Sequence, residues 1–240
     1  MRLALLSYNI HKGFSALFGR FVLDKMRLAI HDIHADLVFL QEVQGQHFLH
    51  EERIEGWPEQ SQFEYLADTL WTHYAYGKNA IYQEGHHGNA ILSKYPFMAY
   101  ENIDISGHPL EQRGLLHGVI APEPDRRVHV FCVHFGLLES WRRKQVLRLC
   151  QRIREHVPED EPIVIAGDFN DWRNNVTPYL ERQLGLREVF IARHGQLART
   201  FPSFWPAFHL DRVYVRGFHV NQAACLAERP WLELSDHLVS

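Results

Sequence analysis

Cysteine is scarce in this chain: three residues in 240, Cys132, Cys150 and Cys225. An odd count without a CxxC spacing implies neither a disulfide framework nor a thiolate zinc site. Cys132 and Cys150 lie in apolar stretches and read as core thiols, which suits a reducing compartment. Long apolar runs are missing too. Nothing approaches the roughly 18 residues needed to cross a bilayer, so no integral membrane segment is expected. Met1 to Leu6 is briefly apolar but runs into Ser7-Tyr8-Asn9 without a small-residue cleavage site. It reads as a first strand rather than a signal peptide, and the expected location is the cytoplasm. Basic charge is not in excess: 25 Lys and Arg stand against 29 Asp and Glu, for a formal net charge of -4. Proteins that coat nucleic acid are usually basic, because phosphate contacts need Lys and Arg. Bulk charge therefore gives no support to such a role, and leaves open a small phosphorylated substrate or a local basic patch. Repeats, low-complexity tracts and Gly/Ser linkers are absent, so residues 1–240 are expected to form one domain, without oligomerisation.

What is present is an alternation of strand-like and helix-like segments, with 46% hydrophobic residues to fill a core. Short apolar stretches at 3–10, 37–41, 90–93, 115–120, 128–134, 163–166 and 212–215 read as strands. Asp24 is placed to cap a helix through about His34, with Met26, Ile30 and Ile33 on one face. The clearest helix runs from Glu139 to about His156. Val146, Leu147, Leu149, Cys150 and Ile153 form its apolar stripe, against a solvated face of Arg142, Arg143, Lys144, Arg148 and Arg152. The pattern suggests a layered α/β architecture and leaves open whether there is one sheet or two.

Polar groups sit where these strands stop. Residues 3–8 lead to Asn9 and His11, 37–41 to Glu42, 128–133 to His134, and 163–166 to Gly167-Asp168-Phe169-Asn170. Leu210-Asp211-Arg212 and Ser235-Asp236-His237 follow near the C-terminus. Aligned in a sheet, such ends gather at one edge, where ligand sites of α/β proteins form. Asn9, Glu42, Asp168, Asn170, Asp211 and Asp236 are hard oxygen donors, which suit Mg²⁺, Mn²⁺ or Ca²⁺. Histidines beside them titrate near neutrality and serve as acid, base or donor. The set points to phosphoryl chemistry: a Lewis acid, a water and donors around a developing charge.

Eight motifs occur in order: Ser7-Tyr8-Asn9-Ile10, Leu40-Gln41-Glu42-Val43, Gly88-Asn89-Ala90-Ile91-Leu92-Ser93-Lys94-Tyr95-Pro96, Arg113-Gly114, Val133-His134, Gly167-Asp168-Phe169-Asn170, Leu210-Asp211-Arg212-Val213 and Ser235-Asp236-His237. Together they make the chain resemble the endonuclease/exonuclease/phosphatase superfamily. That superfamily includes deoxyribonuclease I, apurinic/apyrimidinic endonucleases, bacterial sphingomyelinases and inositol polyphosphate 5-phosphatases. Glu84-Gly85-His86-His87-Gly88-Asn89 and Gly167 to Trp172 look closest to a bacterial group of unassigned substrate.

The resemblance implies an α+β four-layer sandwich, with two mixed β-sheets packed face to face and helices outside. It implies Mg²⁺ or Mn²⁺ at Glu42, with Asn9 and Asp236 beside it. It implies that Asp168 and Asn170 handle the attacking water and a phosphate oxygen, that His237 contacts the phosphate under orientation by Asp211, and that His134 is a second catalytic group. Asn89 and Arg113 fall at positions for phosphate contact. The expected substrate is a phosphate ester, first a phosphodiester in nucleic acid, second a phospholipid head group, inositol phosphate or nucleotide.

Other readings compete at single residues. Asp168 and Asn170 suit an Asx turn capping a following helix. Asp211 and Arg212 suit a surface ion pair, and so do Glu111 and Arg113. His86-His87 suits zinc weakly. The aromatic stretch Thr200 to Phe208 suits a loop packed on the core better than a rim that stacks on a base or touches a lipid. Gly167-Asp168 also fits calcineurin-like metallophosphoesterases, but their Asp-x-His and Gly-Asn-His elements are missing. A non-catalytic binding module on the same fold would ordinarily have lost ligands that are all present here.

Overall fold

A computed structural model describes residues 1–108 and 111–240. Its strands are β1 (Leu5–Asn9), β2 (Leu37–His47), β3 (His73–Tyr82), β4 (Gly85–Ser93), β5 (Phe97–Asp104), β6 (Gly114–Glu123), β7 (Arg126–His134), β8 (Ile163–Asp168), β9 (Arg187–Glu188) and β10 (Asp211–Arg216). Its helices are α1 (Leu23–Ile33), α2 (Phe48–Arg53), α3 (Gln62–Ala67), α4 (Glu139–His156), α5 (Val176–Leu184), α6 (Val189–His194) and α7 (Trp231–Leu234). Four strands form one sheet in the order β1-β2-β4-β3, and six form another in the order β5-β6-β7-β8-β10-β9. Both are mixed: β1 runs parallel to β2 and β7 to β8, and the other neighbours are antiparallel.

The layers follow from strand alternation. Leu37 and Phe39 of β2 pack with Val130 and Cys132 of β7, and with Val164 and Ala166 of β8, between the sheets. The intervening residues face outward. Val38 and Leu40 meet Met26, Ile30 and Leu66 beneath α1 and α3. Phe131, Val133, Ile163 and Ile165 meet Val146, Leu149, Ile153 and Leu180 beneath α4 and α5. Both faces of the central strands are therefore buried, which is why they are nearly continuous apolar runs. This is the four-layer sandwich that the resemblance implied.

Several local expectations are corrected. Helix α1 begins at Leu23 after Val22 without a side-chain cap, and Asp24 lies in its first turn, accepting a hydrogen bond from the Tyr65 hydroxyl. In α4, Arg142 is buried and Leu147 is exposed. Arg142 precedes Val146, Leu149 and Ile153 by four, seven and eleven residues, so it shares their face. Its Nη1 donates to the carbonyls of Gly136 and Leu137. Strands β3 and β5 escape sequence reading because each is a sheet edge carrying many exposed residues. The last residues close the free edge of β1: Ser7 and Ser240 exchange backbone bonds of 2.7 and 3.1 Å.

One buried polar chain lies away from the strand ends that carry the polar motifs. Arg152 Nε donates to His117 Nδ1, which leaves His117 Nε2–H to donate to His129 Nδ1 and His129 Nε2–H to donate to Glu161. Both rings are neutral in this arrangement. Burial and the adjacent His129 push His117 down from 6.5 to about 3, and burial lowers His129 as well. The unfolded chain therefore takes up protons first as pH falls. The stability contributed by these histidines is full above their unfolded pKa and drains as pH drops below it. Melting temperature is expected to fall as pH is lowered from about 6.5 to about 5, and His117→Asn is expected to flatten that fall. An unchanged slope in the variant would refute the assignment.

Candidate active site

The site is the end of the inter-sheet core, where the inward-facing positions change from apolar to polar. On β7 the inward series is Val130, Cys132, His134. On β8 it is Val164, Ala166, Asp168, and on β10 it is Val215, Val213, Asp211. Register aligns the three ends: His134 lies beside Asp168 in the parallel pair, and Asp168 beside Asp211 in the antiparallel pair. The facing sheet repeats the pattern, with Leu5, Ser7, Asn9 on β1 and Ile91, Asn89 on β4. Alternation alone would send Glu42 outward with Val38 and Leu40. The register of β2 shifts between Leu40 and Val43, and Glu42 takes a left-handed φ of 56°. This bulge turns its carboxylate toward Lys12, whose Nζ lies 3.7 Å away.

Hydrogen bonds fix the constellation. Asn9 Nδ2 donates to Asp168 Oδ2 at 3.3 Å, and its Oδ1 accepts from the His11 amide. Asp168 Oδ1 accepts from the Asn170 amide at 2.9 Å, while Asn170 Nδ2 donates to the Phe135 carbonyl. His237 Nδ1 bonds Asp211 Oδ2 at 2.8 Å, the predicted orienting contact. Asp168 Oδ2 lies 3.5 Å from His134 Nε2 and 3.8 Å from His237 Nε2. Asp236 is placed by Ser235, whose hydroxyl donates to the Asn9 carbonyl, and it faces His11 at 3.4 Å.

The two histidines take opposite charge states. Burial, then Arg113 and His237, hold His134 well below its ordinary value, so it is neutral. Burial also disfavours charge on His237, but Asp211 and Asp168 outweigh it and raise the ring. Burial raises Asp168 too, opposed by the His237 cation. His237 is thus the imidazolium among the carboxylates of Asp211, Asp168 and Asp236.

Three of the competing readings are corrected. Arg212 is not on the surface. It is fully buried and bonds Asp171 Oδ2 at 2.9 Å, Thr177 Oγ1 and Asn174 Oδ1, rather than Asp211. The helix-start contact belongs to Asp171, which accepts from the Val176 amide, while Asp168 keeps only the Asx-type contact to Asn170. The loop Thr200 to Phe208, expected to pack on the core, is split. Thr200 and Ser203 are buried and Phe201 lies against the His237 ring at 4.9 Å, but Phe204, Trp205 and Phe208 are exposed. Aromatic content alone does not say which side of a loop faces inward.

Asn89 donates both amide hydrogens, to Gly114 O and Cys132 O, so it ties the sheets together at the site and leaves a buried Oδ1 as an acceptor. Glu111 accepts from Gln145, and the buried Nε of Arg113 has no partner among the described residues. Lys12 and His87 were missed as site residues. Burial, then Lys12, push His87 down to about 4, with Glu42 and Arg113 as further neighbours. Its inward parity with Asn89 and Ile91 was a legible signal. Lys12 sits on a left-handed turn that no sequence pattern announced.

The three residues that the resemblance offers to a hard cation, Asn9, Glu42 and Asp236, bring one amide and two carboxylates. Glu42 and Asp236 are partly exposed, and Glu42 has only the 3.7 Å contact to Lys12 among the described residues. Among the described residues no group of three His, Cys, Asp or Glu side chains forms a cage. Two carboxylates and an amide suit an ion that keeps several waters.

Two facing mixed sheets whose aligned ends gather carboxylates, amides and histidines are the architecture that the resemblance implied. The chain belongs to the Endonuclease/Exonuclease/phosphatase family, whose sequence model matches residues 6–237. It is 47% identical over 234 residues to the uncharacterized protein YbhP of Escherichia coli K12, covering 97% of this chain and 92% of that one. The YbhP of Shigella flexneri matches equally. Among solved structures, a family member from Leptotrichia buccalis superposes with a TM-score of 0.74 at 17% identity, covering 99% of this chain and 97% of that chain. D. rerio TDP2, in complex with a single-strand DNA product, gives 0.69 at 18%, covering 99% and 96%. The human Nocturnin catalytic domain gives 0.69 at 16%, covering 99% and 90%.

Proposed function

We propose that this chain is a Mg²⁺- or Mn²⁺-dependent phosphodiesterase. The observation that supports it most is the alignment of His134, Asp168 and Asp211 on three neighbouring strands, with His237 bonded to Asp211. Glu42, Asp236 and Asn9 would hold the ion, which when bound supplies Lewis-acid polarisation of a phosphoryl oxygen. Asp168 and Asn170 orient a water. Its oxygen bonds to phosphorus as one ester P–O bond breaks, giving a phosphomonoester and an alcohol. Asp168 is the group placed to take the proton of that water. The His237 imidazolium, with Arg113 nearby, offers hydrogen bonds to the charge that grows on the phosphoryl oxygens. Neutral His134 completes the cradle. The sequence reading placed this diester first in nucleic acid, and D. rerio TDP2 holds a DNA product. The same in-line chemistry serves any diester that reaches the site.

Hydrolysis of bis(p-nitrophenyl) phosphate by the purified chain tests the reading. Turnover is expected with Mg²⁺ or Mn²⁺, and is expected to vanish in EDTA. Glu42→Ala is expected to lower it by about a hundredfold or more, since each metal-supporting group matters at the 10–100-fold level or beyond. Turnover that survives EDTA and Glu42→Ala would overturn the metal assignment.

A further inference from the structure

The mouth of the site has an apolar rim that the catalytic reading does not use. Trp205 is 74% exposed, Leu137 60%, Phe204 56% and Leu138 52%. Trp172 and Phe208 are exposed as well. These residues come from three loops, which one ion pair and two ring contacts link. Leu138 leads into Glu139, which pairs with Arg173 at 2.8 Å. Next to Arg173, Trp172 packs edge-on against Phe208 and Phe201 at 4.9 and 5.8 Å. Phe201 in turn lies on His237. Two of the loops leave the strand ends at His134 and Asp168, and the third leads into the strand that begins at Asp211. The rim is therefore continuous with the site.

Large apolar patches on a soluble surface mark interaction sites. Two occupants suit aromatic residues beside a phosphoryl site: stacked bases and lipid. The leucines decide between them. Leu137 and Leu138 offer no π-face to a base and no donor to a phosphate. A lipid interface uses aliphatic and aromatic side chains together, with tryptophan at head-group depth. Charge at the rim agrees. Exposed Glu139 beside Leu138 is offset by its pair Arg173, which leaves exposed Arg143 and Lys144 just beyond it and Arg199 before the aromatic loop. Cations flanking apolar tips complement anionic head groups. Among the described residues no helix is long and apolar enough to cross a membrane, so such docking would be peripheral.

We infer that this rim seats the mouth of the site on an anionic phospholipid surface, and that the diester delivered to the site is borne by a lipid. The substrate half of this inference rests on the phosphodiesterase reading above; the docking half does not. The test is co-sedimentation with vesicles of phosphatidylcholine, and of phosphatidylcholine mixed with an equal amount of phosphatidylglycerol, in EDTA. Wild type is expected to pellet with the mixed vesicles. Phe204→Ser/Trp205→Ser is expected to lose about tenfold or more in partitioning, because each ring loses its apolar burial. Its turnover of bis(p-nitrophenyl) phosphate and its melting temperature are expected to match wild type. Glu42→Ala is expected to pellet like wild type, so failure of catalysis and failure of docking are read separately. Wild type left in the supernatant with both vesicles would overturn the inference, as would a double variant that pellets unchanged. Binding of a single-stranded oligonucleotide that is lost in the double variant, without vesicle binding, would assign the rim to nucleic acid instead.

Discussion

Asp168→Asn is expected to lower kcat/KM for diester hydrolysis by about a thousandfold, the range of a lost acid–base group, while the melting temperature moves by less than about 3 °C. The reason lies in its contacts. An asparagine keeps an oxygen for the Asn170 amide, so the turn after β8 survives. It cannot take a proton from water. Charge on Asp168 is disfavoured by burial, so a neutral side chain relieves that cost and offsets the loss of the Asn9 contact and of one carboxylate beside His237. Steady-state kinetics and calorimetry on the same preparation decide the matter. A large loss of stability with intact turnover would make Asp168 structural. KM is expected to change little, because the role assigned to Asp168 is on the water rather than on the ester.

Asp171→Ala is expected to act in the opposite way, through stability. The Arg212 guanidinium is fully buried, and among the described residues Asp171 is its only carboxylate partner, at 2.9 Å. Removing one member of such a pair leaves an uncompensated charge, costing about 3–5 kcal/mol, which corresponds to a fall in melting temperature on the order of 10 °C. The Val176 amide at the start of α5 loses its acceptor as well. Because Asp171 directly follows Asn170, the protein that remains folded is expected to lose some activity. The pairing is checked by combining Asp171→Ala with Arg212→Met. The double variant is expected to recover part of the lost stability, since both charges are gone and the Thr177–Tyr214 hydroxyl contact at 2.7 Å remains. Additive losses would show that the two residues act independently.

The contrast between these neighbours shows what the sequence could and could not carry. Gly167-Asp168-Phe169-Asn170-Asp171 reads as one acidic motif. Only packing separates Asp168, which faces the mouth between the sheets, from Asp171, which is sequestered with Arg212. The same holds for Arg142, whose charge suggested solvent although its spacing to Val146 and Leu149 placed it on the buried face. Edge strands β3 and β5 were illegible because half-exposed strands lack the apolar run that marks central ones.

By itself the sequence determined the central strands, the long helix α4 and the polar groups that terminate the strands. These depend on local alternation and on composition, which each segment carries without its neighbours. Tertiary structure decided the rest. Register set His134, Asp168 and Asp211 side by side, a bulge brought Glu42 into reach of Lys12, and packing set Trp172 against Phe208 from another loop. Those relations depend on pairing between segments far apart in the chain, and no local pattern encodes where a partner strand will stop.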